Sequence, residues 1–276
     1  MPTINTNVAA IKARSNLDRV QREMDTSIAR LSSGKRITRA HDDAAGSAIA
    51  GRMESQIRGL TSGIRQAKDG QSLVDTAEGA LQEVTQILQR MRELAVQAGS
   101  GIANDTDKNN LQVEMAALVD EIDAISDTTK FNDKRILTGA TFAFYTDIDV
   151  AGTAVTTVAA SAAAATIGIT KANVSIGAGT STNALLQAVI TKVDSAIGSI
   201  ASFRANLGAV SNRFDHLIDG LTNVVANTEA SKSRILDTDF SIETTQLTRN
   251  TVLQQAATSM VAQANVQKNA ILALIG

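Results

Sequence analysis

Between Gly46 and Ala98 the apolar residues recur at alternating steps of three and four with hardly a break. The row runs Ile49, Met53, Ile57, Leu60, Ile64, Ala67, Gln71, Val74, Ala77, Leu81, Val84, Leu88, Met91, Ala95, Ala98. A repeat held that long predicts a coiled-coil-type helix, not the surface helix of a compact globule. At the usual rise per residue it would extend about 80 Å. Such a seam cannot stay wet, so the rest of the chain must supply its partners.

Composition agrees with narrow helix–helix seams. The 276 residues include one proline, one tyrosine and no tryptophan, and aromatic residues make up 3%. A large compact core normally uses more aromatic bulk. The net charge of −2 gives no drive toward nucleic acid. The absence of cysteine excludes disulfides, thiolate metal sites and thiol catalysis. The first residues, Met1 to Asn7, lack a basic segment followed by an apolar one, so a cleaved secretory signal is not expected.

Residues 4–33 read as a helix with the seam Ala10, Ala13, Leu17, Val20, Met24, Ser27, Leu31, ended by Ser32-Ser33-Gly34. A basic connector, 34–43, follows, and Asp42 and Asp43 stand where they can cap the long helix. The long helix closes at Gly99-Ser100-Gly101. Asn104-Asp105-Thr106-Asp107 opens a return helix with the seam Leu111, Met115, Leu118, Ile122, Ile125. Thr128 to Gly139 reads as irregular. The period then changes: Phe142, Phe144, Thr146, Ile148 and Val150 alternate as in a strand. Val150 to Thr170 is uncharged, but its many Thr, Ser and Gly residues favour an exposed β-rich insert over a membrane span.

Helical periodicity resumes at Asn183 and continues through Val189, Val193, Ile197, Ile200, Arg204, Leu207, Val210, Phe214, Leu217 and Leu221. A final helix follows Asp237-Thr238-Asp239, with a seven-residue repeat on Leu253, Ala257, Met260, Ala264, Gln267, Ile271, Leu274. Residues 240–276 carry only Glu243, Arg249 and Lys268 as charges, so this helix is expected to be buried in an assembly. The elements have near mirror order. Pairing first with last and second with second-last predicts a mainly α fold: long coiled-coil helices in two stacked layers, with a small β-hairpin-containing insert. The expected segments are 1–44, 45–139, the insert 140–182, 183–234 and 235–276.

Several strings resemble one family. They are Ile4-Asn5-Thr6-Asn7, Arg30-Leu31-Ser32-Ser33-Gly34-Lys35-Arg36-Ile37, Asp42-Asp43-Ala44-Ala45-Gly46, Thr76-Ala77-Glu78-Gly79-Ala80-Leu81, Arg92-Glu93-Leu94-Ala95-Val96-Gln97 and Ser233-Arg234-Ile235-Leu236-Asp237-Thr238-Asp239-Phe240. In this order they resemble bacterial flagellin, in a short form with a small central insert. The resemblance implies a non-enzymatic, secreted, extracellular subunit of the flagellum filament, exported unfolded by the flagellar type III route. Its terminal helices would form the inner coil, so the seam residues Leu17, Val20, Met24, Leu31, Leu253, Met260, Ile271 and Leu274 are expected to carry assembly. Its partners would be other copies of itself, flagellar cap and hook-associated proteins, and an export chaperone on the C-terminal part. The resemblance also implies that Gln89, Arg90, Glu93, Leu94 and Gln97, with Glu114, form the patch engaged by the host flagellin-sensing Toll-like receptor. Within the residues themselves, that stretch is equally a helix surface for neighbouring subunits. Two alternatives stand beside this reading: the hook–filament junction protein of the same family, and a secreted coiled-coil effector.

No cofactor, metal site, nucleic acid or membrane insertion is expected. Asp105-Thr106-Asp107 imitates the start of a calcium loop, but Asn110 and Ala116 stand where glycine and glutamate are needed, so it reads as a helix cap. His41 beside Asp42 and Asp43 has no nucleophile motif with it and reads as connector and cap. The basic run 34–39 suits a solvated or subunit-bridging turn, with phosphate or membrane binding as the other reading. The Thr and Ser of 140–182 are candidate O-glycan acceptors. The apolar end, Ile271 to Gly276, resembles the family tail read by cytosolic sensors, without the terminal arginine some members carry.

Overall fold

The computed structural model describes residues 6–145, 155–158, 162–177 and 183–272. Helix α1 (Val8–Ser33) begins at Asn7, whose carboxamide oxygen accepts the Ala10 N–H at 3.1 Å. It stops at Gly34, which takes the left-handed conformation (φ 69°) that a side chain disfavours. Helix α2 (Ala44–Ala98) starts under Asp43, whose Oδ1 accepts the Gly46 N–H at 2.8 Å. Helix α3 (Asp105–Thr128) opens with a full capping box. Asn104 accepts the Asp107 N–H at 2.8 Å, and Asp107 accepts the Asn104 N–H at 3.1 Å. That reciprocal bond occupies the aspartate that resembled a calcium ligand.

Two short hairpins follow. Strands β1 (Lys130–Phe131) and β2 (Lys134–Arg135) pair antiparallel around Asn132 and Asp133, both at positive φ (49° and 62°). Such a two-residue turn suits Asn and Asp. It orders a stretch that reads as irregular from sequence, and it buries Ile136 and Leu137. Strands β3 (Thr141–Phe144) and β4 (Val155–Val158) pair in register from Thr141 with Val158 to Phe144 with Val155. Of the expected alternation, Thr146, Ile148 and Val150 lie outside the described residues.

Helices α4 (Asn183–Leu236) and α5 (Phe240–Leu272) complete the chain. The chain divides into two compact units, residues 1–57 with 226–276 and residues 58–225. In the second unit α2 and α4 run antiparallel. Gln71 donates to Asp215, Arg204 pairs with Glu78, and Arg92 pairs with Asp194 at 2.8 Å. The α2 seam lies beneath them: Val74, Ala77, Leu81, Val84, Leu88 and Met91 are fully buried, as are Val193, Ile200 and Phe214 of α4. Among the described helices α4 alone is long and apolar enough to cross a membrane. Its charged residues Asp194 and Arg204 are instead paired along the side of α2.

The segment 162–177 corrects the expectation of a wholly exposed insert. Ala162, Ala164, Ile169, Val174 and Ile176 are buried in the same core as the helices. The segment is strapped along α3 by polar groups at helical spacing. Gln112 accepts the Ile176 N–H, Asp120 pairs with Lys171, and Asp123 accepts the Ala164 N–H at 2.8 Å. Side chains of α3 thus satisfy backbone donors that an irregular, buried strap could not satisfy itself.

In the first unit α1 packs on α5. The basic connector is not a free turn. Lys35 bridges to Asp237, the Arg36 N–H donates to Leu236 O at 2.6 Å, and the Arg36 guanidinium donates to Ile235 O. Lys232 of α4 reaches Glu54 of α2 at 2.7 Å in the same unit.

Candidate functional site

One expected surface sits where α2 and α3 run side by side. Arg90 stands at its centre. Its Nε donates to Glu114 Oε1 at 2.9 Å, and one terminal nitrogen pairs with Glu93, three residues on, at 3.1 Å. These two carboxylates, Glu114 first, hold the guanidinium pKa above its ordinary value. The capping box at Asn104 makes the contact possible, because it sets where α3 begins and hence the height of Glu114. Gln89, Arg90, Glu93 and Gln97 are all exposed. The geometry offers a preset cation between two anions on an open helical surface, suited to polar recognition by a protein partner.

Leu94 does not belong to that surface. It is 0% exposed and joins the core with Met91, Ala95 and Ala98. The reason is local: here α2 is covered by α3 on one side and α4 on the other. Its buried face is therefore wider than a seam made for one partner, and Leu94 falls inside it.

The second expected surface is the α1–α5 pair. On α1 the structure follows the sequence seam. Val20 and Ser27 are buried, and Leu17, Met24 and Leu31 are half-buried. On α5 it departs from it. Glu243 and Asn250 are buried and Gln246, Leu247, Thr251, Gln254, Ala257, Val261 and Ala264 half-buried, while Leu253 and Met260 are 41% and 64% exposed. The expected repeat shares Ala257 and Ala264 with this face and lies on its neighbour. Apolar residues surround α5 on all sides, so periodicity could not choose between the two faces. Polar couples made the choice: Gln254 donates to Gln21 at 2.6 Å, Glu243 pairs with Arg30 at 3.6 Å, and the Asn7 carboxamide donates to Ala264 O. Sequence reading missed them because each joins residues more than two hundred positions apart. The Ile271 side chain and Leu274 lie outside the described residues.

The connector forms a third cluster. Asp42 accepts the N–H groups of Thr38 and Arg39 and the Thr38 hydroxyl, all near 3.0 Å. The Arg39 and Thr38 donors hold its carboxyl pKa below the usual value. A hollow of about 350 Å³ lined by Arg22, Asp25, Thr38, Arg39 and His41 lies beside it. Among the described residues no group of three or more His, Asp or Glu converges as metal ligands do.

Comparison with known proteins accounts for both ends of the chain. The family model for the bacterial flagellin N-terminal helical region matches residues 4–141, and that for the C-terminal helical region matches residues 190–275. The flagellin of Halalkalibacterium halodurans is 40% identical over 282 residues, covering 99% of both chains. Flagellin E of Vibrio cholerae is 48% identical over 137 residues, which are 50% of this chain and 36% of that one. The chain thus spans about a third of the length of such longer relatives. A putative flagellar hook-associated protein from Vibrio parahaemolyticus shares the fold, with a TM-score of 0.62 at 13% identity over 71% of this chain and all of that one. By its matched ends and its full-length relative, this chain belongs to the bacterial flagellin family.

Proposed function

We propose that this chain is the repeating subunit of a bacterial flagellar filament, a structural and not an enzymatic role. The observation that carries the reading is the polarity of α5. Its packed face holds Glu243, Asn250 and Gln254, while Ile242, Leu253 and Met260 remain exposed on the neighbouring face. Val8, Ile11 and Ile28 of α1 are exposed as well. An apolar stripe outside a polar intramolecular seam invites further helices. Contacts of that kind that do not close on themselves build an open polymer. Residues 1–44 and 235–276 then supply the assembly coil, 45–139 and 183–234 the helical body, and 140–182 the insert.

A pair that buries polar groups within itself and leaves apolar ones outside is weak alone and ordered by assembly. That supports passage as an unfolded monomer through a type III export channel to the cell exterior, and a chaperone that shields the C-terminal part before export. Cap and hook-associated proteins are the further partners of this reading.

Seeded polymerisation tests it. Purified chain added to filament fragments should elongate them, and the variant carrying Leu253→Asp and Met260→Asp should not, while retaining the core of residues 58–225. Failure of the unaltered chain to elongate seeds would favour the hook–filament junction protein or a coiled-coil effector.

A second role rests on the Arg90 constellation. The exposed Arg90–Glu93–Glu114 group, with Gln89 and Gln97, supports recognition of the free subunit by the flagellin-sensing Toll-like receptor. Monomer should activate receptor reporter cells and Arg90→Ala should not. Equal signals from both would remove this role.

A further inference from the structure

The chain has no cysteine, so its side-chain sulfur is confined to six methionines. With no thiol present, these thioethers are the groups most open to two-electron oxidants. Their shelter differs widely. Met91 and Met115 are 0% exposed in the core of residues 58–225. Met24 of α1 and Met53 of α2 are half-buried. Met260 of α5 is 64% exposed, the most open methionine among the described residues. That openness does not depend on α5 being packed: a free chain whose α1–α5 pair loosens exposes the sulfur further.

Met260 also stands where polarity matters. It lies seven residues from Leu253, two helical turns along the same apolar stripe, with the exposed Val252 at the edge of that stripe. From Asn250 to Gln267 the sequence holds no charged side chain. A contact made by this stripe is therefore built on aliphatic packing. Oxidation turns the flexible, apolar thioether into a polar, chiral sulfoxide. To pack against a neighbouring helix the new oxygen must shed its water. A penalty of the size usual for a buried, poorly matched polar group lowers an association about tenfold or more.

We propose that Met260 is a modification site: a peroxide oxidises it in the free subunit, and the sulfoxide keeps that subunit from joining a filament. Copies already assembled are sheltered by their neighbours. The proposal rests on the filament reading, which makes the α5 stripe a contact between copies. In the step itself a sulfur lone pair attacks one peroxide oxygen. The S–O bond forms as the O–O bond breaks, and the second oxygen leaves as water with both peroxide protons. Sulfur loses two electrons and the peroxide gains them.

Hydrogen peroxide applied to the full-length chain, free and in filaments, tests the site. Peptide mass spectrometry follows each methionine, and seeded elongation follows function. In the free chain Met260 should oxidise well ahead of Met91 and Met115, and in filaments its oxidation should slow. The oxidised free chain should elongate untreated seeds about tenfold more slowly than the untreated chain. Met260→Leu, which conserves volume and carries no sulfur, should elongate normally before and after the same exposure. Met260→Gln, polar at the same length, should be slow without any oxidant. Full-rate elongation by chains oxidised at Met260, an equal loss in treated Met260→Leu, equal oxidation of Met260 in filaments and free chains, or parental elongation by Met260→Gln each overturns the proposal. An untreated, unaltered chain that fails to elongate seeds sinks the filament reading and this site with it, whereas those four results sink the site alone.

Discussion

The ring of Phe214 lies against the bare backbone of α2 at Gly70. A Cβ built on Gly70 would meet the ring Cζ at 2.6 Å and two further ring carbons at 3.0 and 3.1 Å. Phe214 is 0% exposed, and Phe144 of the β3–β4 hairpin meets it edge-on with centroids 5.7 Å apart. One glycine therefore lets α2, α4 and the hairpin converge on a single aromatic ring.

Gly70→Ala should destabilise the unit 58–225 although alanine is the better helix former. The ring is fully buried with Phe144 edge-on against it, so it has little room to retreat, and overpacking of this kind costs about 1–3 kcal/mol, more than the helix gain of about 1 kcal/mol. Gly79, also in α2, has nothing within 4 Å of its would-be Cβ. Gly79→Ala should therefore raise stability by up to about 1 kcal/mol. Urea unfolding of both variants checks the pair; a stabilised Gly70→Ala would refute the packing argument.

Leu94→Ala should behave as a core truncation, with a loss of about 2–5 kcal/mol, because the side chain is fully buried. Val96→Ala, two residues on and 54% exposed, should lie within about 0.5 kcal/mol of the parent. Comparable losses at both positions would show that the α2 face between α3 and α4 is drawn wrongly. Any effect of Leu94→Ala on a partner then follows from folding, unlike that of Arg90→Ala.

How much of this was legible in the sequence depended on where each element gets its partners. The seams of α1 and α2 were legible because a three-and-four repeat marks one face of each, and burial follows that face from Ala10 to Leu31 and from Ile57 to Ala98, while Val8, Ile11, Ile28 and Val96 lie off it and are exposed. The caps at Asn104 and Asp43 were legible because capping chemistry is local. Three features were not. Leu94 is buried by a second neighbour that the repeat on α2 cannot reveal. The α5 face was chosen by Gln21, Arg30 and Asn7, far away in sequence. The strap 162–177 has no local period at all, since its order comes from Gln112, Asp120 and Asp123 of α3. The Asn132-Asp133 turn was within reach of turn chemistry, but strands of two residues leave no alternation to notice.

Asp42 should titrate below the ordinary carboxylate value of 3.8, because the Arg39 N–H and the two Thr38 donors bind its charged form. A lowered folded-state pKa stabilises the fold above the unfolded value, and that contribution is lost as pH falls through the folded one. The connector should therefore loosen only below pH 3.8, and Asp42→Asn should lack that acid-side dependence. Carboxyl chemical shifts followed by NMR give the direct reading. A midpoint at or above 3.8 would mean that the Asp42 turn is not closed in solution.

Asp123→Ala should loosen the strap without unfolding the helices. Its carboxylate is the acceptor for the Ala164 N–H at 2.8 Å, and Ala164 is 1% exposed, so water cannot readily replace it. An orphaned buried donor costs about 1–3 kcal/mol. That penalty should appear as faster amide exchange through 162–177, while the seam of α2 from Val74 to Met91 keeps its protection. The strap has further anchors at Lys171 and Ile176, so release should be graded: stronger at the Ala164 end, weaker toward Ile176. Hydrogen exchange resolved by peptide tests the gradient. Uniform exchange across the strap and the helices would show that Asp123 supports the whole unit and that the strap has no separate stability.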